Sequence, residues 1–176
     1  PTHQHTLHWI QTTLQSLPDT SAALNELEQL KHSLAELPIT EQNYGLIHFD
    51  FEPDNIFYDA QTSTCNVIDF DDSMLHWYVM DIAQALTGLK EEFGAEGFAM
   101  RRSFFLEGYQ RFHEIDRQIY ASLPTFTRFA SLLKYTRIRR ALQETWQHEP
   151  TWMLSLRDKL NHALHNHAQD FGKPYG

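Results

Sequence analysis

The chain is poor in cysteine. Its one thiol, Cys65, can build neither a disulfide framework nor a zinc ribbon, so a reducing, cytoplasmic setting is the expectation. Basic residues are scarce too: 14 Lys and Arg stand against 23 Asp and Glu, a formal net charge of −9. Nucleic acids and anionic membranes need a basic footprint, so neither is an expected partner. The balance mildly favours a cationic small molecule. No apolar run is long enough to span a bilayer and no signal peptide opens the chain, which predicts a soluble protein. There are no internal repeats and no low-complexity linker. What is present, 41% hydrophobic residues in a length of 176, suffices for one domain with a real core. The chain opens on Pro1 rather than Met and runs directly into a helical pattern, which implies that something upstream has been removed.

Leu7, Ile10, Leu14 and Leu17 recur at helical spacing up to Pro18. Asp19, Thr20 and Ser21 offer caps for a second helix carrying Leu24, Leu27, Leu30 and Leu34, closed by Pro38. The period then changes. Short apolar runs at Leu46–Ile47, Ile56–Tyr58 and Val67–Phe70 predict three small strands, the last two paired as a hairpin around the polar turn Asp59–Thr64. After Ser73 the helical period returns. A helix through Val79, Ile82 and Leu86 leads to a loop with Gly88, Gly94 and Gly97. A longer helix follows with Phe98, Phe105 and Tyr109, then one opened by Pro124 and a last one after Pro150. The fold class is α+β, mainly α-helical, as one domain over 1–176: helical at 1–43, a β insert at 44–76 and helical again at 77–176.

The insert concentrates polar residues between apolar strands, which local propensity does not favour. It holds His48-Phe49-Asp50-Phe51-Glu52-Pro53-Asp54-Asn55, a His-x-Asp-x-x-x-x-Asn pattern, and then Ile68-Asp69-Phe70-Asp71-Asp72. Phosphoryl transfer needs a carboxylate to receive the acceptor's proton and oxygen ligands to fix Mg²⁺ against the phosphates. Asp50 offers the first; Asn55 and Asp69 offer the second, folded together by the intervening hairpin.

The arrangement resembles the catalytic and metal-binding loops of the protein-kinase-like superfamily, and more narrowly the aminoglycoside phosphotransferase, choline kinase and type II homoserine kinase group. There the first loop reads His-Gly-Asp followed by Pro-x-Asn, the second carries Ile-Asp-Phe or Ile-Asp-Trp, and a Tyr-Asp-Leu-Ala-like stretch follows. Here that stretch is Val79-Met80-Asp81-Ile82-Ala83, and the likeness covers about residues 44–86. It implies a kinase-like C-terminal lobe, ATP as phosphoryl donor, Mg²⁺ as cofactor and a small, amine-bearing alcohol as acceptor. It implies that Asp50 is the catalytic base, that Asn55 and Asp69 bind the metal and nucleotide with Asp71 beside them, and that His48 and Asp81 support the loop. Three departures stand out. Phe49 replaces the usual Gly, predicting a tighter or more shielded loop. Glu52 replaces a Lys or His, placing negative charge near the acceptor. Asp71 replaces the Gly of Asp-Phe-Gly, so no flipping activation loop is expected.

The resemblance also implies an N-terminal lobe with a phosphate cover and a strand Lys paired with a helix Glu, and none of the five Lys lies in such a strand. The chain then reads as one lobe, inactive alone, whose bared apolar face could pair two copies. Two other functions stay open: a non-catalytic kinase-like binding module, and a metal-dependent hydrolase using Asp69, Asp71 and Asp72 with His48. Trp77 and Tyr78 are either core packing or an aromatic wall for an ammonium group. His3, His5 and His8 read as solvated imidazoles at a frayed end, and Arg137, Arg139 and Arg140 as a solvated helix face.

Overall fold

The computed structural model describes residues 1–173, which divide into two compact units: residues 1–3 with 38–127, and residues 4–37 with those from Arg128 onward. No helix among the described residues is long and apolar enough to cross a membrane.

The first unit holds β1 (Tyr44–Ile47), a 3-10 turn at Pro53–Asn55, β2 (Ile56–Asp59), β3 (Thr64–Val67), β4 (Met74–Trp77), α3 (Val79–Gln110) and α4 (Arg117–Ala121). β2 and β3 form the hairpin that the polar turn predicts, in register Ile56↔Val67 to Asp59↔Thr64. The Asp59 carboxylate closes it, accepting from the Gln61 N–H and the Thr62 hydroxyl, both at 2.8 Å. The third strand ends earlier than the apolar run suggested. Ile68 and Phe70 lie outside it, because Asp69 takes φ +62° and turns the chain. β4 is a correction: residues 74–77 pair antiparallel with β1, from Tyr44↔Trp77 to Ile47↔Met74, instead of starting a helix. The expected glycine-rich loop is another. α3 runs through it, and Gly94 alone leaves helical geometry (φ +65°, ψ −178°), kinking the helix.

An aromatic cluster forms this unit's core. His76 and Phe126 are fully buried, Trp77 and Phe49 nearly so. Ring centroids lie 5.6 Å apart for His76–Phe49, 5.8 Å for His76–Phe126 and 4.7 Å for His3–Trp77. The Trp77 indole N–H donates to the Pro38 carbonyl at 2.9 Å, and Asn43 accepts from the Thr40 N–H at 3.0 Å, so the entry to β1 is pinned. His3 is buried and bonded to the Tyr44 hydroxyl at 2.7 Å, so it is a packed residue and not part of a frayed end.

In the second unit α2 (Ser21–Ala35), α6 (Thr151–Ala168), α1 (His3–Gln15) from Gln4 onward and α5 (Leu123–Ala141) from Arg128 onward contribute buried Ile10, Leu14, Leu27, Leu30, Phe129 and Leu132. Thr20 does not cap α2 with its side chain; its hydroxyl donates to the Leu14 carbonyl at 2.8 Å. Glu26 is fully buried and accepts from the Arg128 guanidinium and from the Gly172 N–H at 2.9 Å. The arginine cluster is more engaged than a solvated face. Arg139 donates to the Pro18 carbonyl, and the Arg140 guanidinium stands 6.0 Å over the Trp9 ring.

Burial, reinforced by the neighbouring His3, depresses the His76 imidazole from 6.5 to about 3; burial also lowers His3. Both are neutral in the fold and regain an ordinary affinity for protons when unfolded. The contribution of His76 is therefore present above 6.5 and is lost as pH falls from there towards 3, and the lowered His3 acts in the same direction. From pH 7 to pH 5 the loss from His76 alone amounts to about 2 kcal/mol. Urea unfolding followed by near-ultraviolet circular dichroism should show the midpoint falling over that interval, and His76→Phe should flatten the fall. An unchanged midpoint in the parent chain would contradict the burial of neutral imidazole.

Candidate active site

β1 delivers His48, Phe49 and Asp50 to an irregular loop that lies against the first turn of α3. Asp81, in that turn, holds the loop by its backbone: Oδ2 accepts from the His48 N–H and Oδ1 from the Phe49 N–H, each at 2.9 Å. Burial pushes the Asp81 carboxyl above its ordinary range and the charge of Asp50 adds to this, while the two N–H groups oppose it.

His48 is buried and joins two loops. Its Nδ1 accepts from the Asp50 N–H at 3.3 Å. A carbonyl can only accept, so the opposite nitrogen, Nε2, carries the proton and donates to the Ile68 carbonyl at 2.8 Å. Ile68 precedes Asp69, so one imidazole fixes the loop of Asp50 to the loop of Asp69.

Asn55 closes the first loop. Its Nδ2 donates to the Asp50 carbonyl at 2.9 Å and to Asp50 Oδ2 at 3.2 Å, and its own carbonyl accepts from the Ile68 N–H at 3.1 Å. The turn between them is tight: Glu52 N–H donates to Asp50 O at 2.9 Å and Asn55 N–H to Glu52 O at 3.0 Å. Pro53 rests on α3 at Gly88. A Cβ there would stand 2.7 Å from Pro53 Cδ, so the close approach requires glycine.

Within the site two residues hold left-handed backbone, Phe49 at φ +64° and Asp69 at φ +62°. The conformation costs an L-residue about 1–2 kcal/mol, and aspartate tolerates it better than a bulky side chain does. At Phe49 it is held by the Asp81 bond, by the buried ring and by a third contact: Gln84 Nε2 donates to the Phe49 carbonyl at 2.7 Å. The Gly usual at this position in the resembled kinases is explained by that φ; here a phenylalanine is clamped into it.

Asp69 and Asp71 are exposed and Glu52 is half-buried within the Asp50 turn. With Nδ2 spent on Asp50, Asn55 keeps Oδ1, which takes no hydrogen bond among the described residues. Asn55 Oδ1 and the Asp69 carboxylate are hard oxygen donors of the kind Mg²⁺ takes. Among the described residues no three His, Cys, Asp or Glu converge as a metal site. A cation held here would draw its remaining ligands from phosphate and water, as Mg²⁺ commonly does. The hydrolase alternative lacks its ligand set, since both His48 nitrogens are already bonded. Trp77, 1% exposed, packs the core and offers no face to a ligand. Tyr78 meets the edge of His113 at 5.2 Å and borders a cavity of only about 20 Å³, too small for an organic acceptor.

Gln84 escaped the reading of the sequence, and Gly88, expected in a loop, lies within α3. The signal was the spacing Asp81-x-x-Gln84, which puts both side chains on one helix face.

Residues 2–123 match the phosphotransferase enzyme family, and the chain belongs to that family. It is 28% identical over 127 residues to amicoumacin kinase of Bacillus subtilis (strain 168), covering 66% of this chain and 36% of that protein. Two solved structures share the fold. One is an amicoumacin kinase in complex with AMP-PNP, Ca²⁺ and amicoumacin, with TM-score 0.68, 24% identity, 87% of this chain and 47% of that chain. The other is a microcompartment-associated aminopropanol kinase, with TM-score 0.59, 22% identity, 86% of this chain and 45% of that chain. This chain thus spans less than half the length of each relative.

Asp81→Ala should leave two loop N–H groups without an acceptor, at about 1–3 kcal/mol each. Asp81→Asn keeps one acceptor oxygen and should fall between. Urea unfolding with amide exchange at His48 and Phe49 checks both; an Ala variant as stable and as protected as the parent would show that the carboxylate does not hold the loop.

Proposed function

We propose that this chain is the catalytic lobe of an ATP- and Mg²⁺-dependent kinase that phosphorylates a hydroxyl of a small, amine-bearing acceptor. The observation that carries the reading is the bonded circuit Asp81–His48–Ile68 with Asp50–Asn55, which ties a candidate base to two candidate metal ligands. In this scheme Asp50 accepts the acceptor's hydroxyl proton as the new oxygen–phosphorus bond forms and the bond to the ADP leaving group breaks. Asn55 Oδ1 and Asp69 would hold Mg²⁺, with Asp71 near its water. The ion, when bound, offsets charge on the transferring phosphoryl group. His48 and Asp81 keep the loop in place without touching reactants. The phosphate cover and its lysine would come from a second lobe outside these residues, so the chain alone should turn over poorly.

The acceptor class rests on charge. From residue 32 to residue 89 there is no Lys or Arg, while Asp50, Glu52, Asp54, Asp59, Asp69, Asp71, Asp72 and Asp81 all fall there. Such a stretch favours cationic ligands. One relative is named for aminopropanol, an amine-bearing alcohol.

In the full-length protein Asp50→Ala should lower kcat by about 10²–10⁴-fold with nucleotide affinity little changed. Calorimetry should show Mg²⁺ binding well only together with nucleotide. Undiminished turnover in Asp50→Ala would remove the assignment, and tight Mg²⁺ binding without nucleotide would argue for a different metal chemistry.

A further inference from the structure

We infer that Gln84 is a positioning residue that sets the orientation of Asp50, made necessary by the phenylalanine at position 49. The inference rests on the kinase reading of this loop.

The Phe49 carbonyl and the Asp50 N–H belong to one planar peptide unit. Two bonds fix that plane: Gln84 Nε2 to the carbonyl at 2.7 Å, and the Asp50 N–H to His48 Nδ1 at 3.3 Å. The Gln84 bond is much the shorter. Asp81 holds the preceding peptide through the Phe49 N–H but does not touch this one. Gln84 therefore restrains rotation about φ and ψ of Phe49 from one side, while Asn55 Nδ2 restrains the Asp50 carbonyl and Oδ2 from the other, and loss of the Gln84 bond would let the Asp50 carboxylate shift against Asn55. At φ +64° such rotation is a live alternative, since the backbone of an L-residue relaxes towards negative φ when released.

The setting of Gln84 supports a role beyond packing. It is 4% exposed, among buried Ile82, Ala83, Ala85 and Leu86 on a helix, where an apolar residue would fit. Its Oε1 is buried and accepts no hydrogen bond among the described residues, so desolvation of the amide is offset only through Nε2. A buried, half-satisfied amide on a rigid helix, aimed at the peptide before the candidate base, matches what positioning of a reactive group requires.

Four variants of the full-length protein test this: Gln84→Met, which keeps length and removes the donor; Gln84→Asn, which keeps the donor one methylene short of reach; Phe49→Gly; and Gln84→Met combined with Phe49→Gly. The two Gln84 single variants should lose about tenfold in kcat, with KM for nucleotide and acceptor within about twofold of the parent. Against Phe49→Gly alone, the Gln84→Met loss should shrink to about twofold, because glycine takes positive φ without a clamp. Exchange at the Asp50 amide should quicken about tenfold in Gln84→Met while the His48 and Phe49 amides stay protected. That readout also serves if the glycine variant fails to fold. The inference is overturned if kcat in Gln84→Met stays within about twofold of the parent, or if kcat, KM and all three amides decline together with thermal stability. A parent protein without phosphoryl transfer would end the kinase reading, and the Asp50 amide alone would then decide whether Gln84 holds the peptide.

Discussion

The loop from His48 to Asn55 depends on one carboxylate receiving two consecutive backbone N–H groups. In a strand such groups diverge, and a residue of positive φ between them is one way to turn both towards an anion. Phe49 supplies that turn, so the strain at φ +64° and the Asp81 bonds to His48 and Phe49 are one feature. The carboxylate needs the bent backbone to gather both donors, and the bent backbone needs the carboxylate to remain bent. Asp81 also lies in the first turn of α3, where exposed helix N–H groups favour negative charge. These terms work against the burial that pushes its carboxyl upward.

From that anchor the constraint passes outward through small, directional contacts. His48 carries it to Ile68, and there the chain turns left-handed again at Asp69. Asn55 ties the far end of the first loop back to Asp50 and also receives the Ile68 N–H. Gly88 lets the intervening turn sit on the same helix that bears Asp81 and Gln84. Strain of this kind persists only where the surroundings over-determine it. Here α3 supplies a carboxylate, an amide and a bare backbone on successive turns, and each meets a different part of the loop.

The sequence disclosed the parts whose chemistry imposes spacing. His48, Asp50, Asn55 and Asp69 stand in a fixed order because loop geometry requires it, and the hairpin between them is written in Asp59–Thr64. Helix ends were marked by Pro18, Pro38 and Pro150, where a missing N–H and a fixed φ limit the choices. What escaped was non-local. β4 is four residues long and pairs with a strand some thirty residues earlier, so no period could develop and its partner lay outside any local window. His3 reads as polar and terminal, yet it is buried against Trp77, a contact that depends on the whole unit having folded. Gln84 sits in an otherwise apolar helical stretch, and only the position of the Phe49 carbonyl explains it.

The charge distribution sets a further condition on the candidate site. Asp50, Glu52, Asp54, Asp69, Asp71 and Asp72 lie within twenty-three residues, and the flanking lysines, Lys31 and Lys90, bracket a stretch with no cation of its own. A triphosphate approaching such a stretch meets repulsion, which salt screens in part. Divalent cations reverse the local sign, which is how metal sites on acidic loops come to hold anions at all. Positive charge must then arrive from the ion, from a second lobe, or from the acceptor. Under the kinase reading proposed above, an ammonium group on an acceptor would be drawn to the same carboxylates proposed to hold the metal, so the acidic stretch that repels a bare nucleotide would also help to place the hydroxyl beside Asp50.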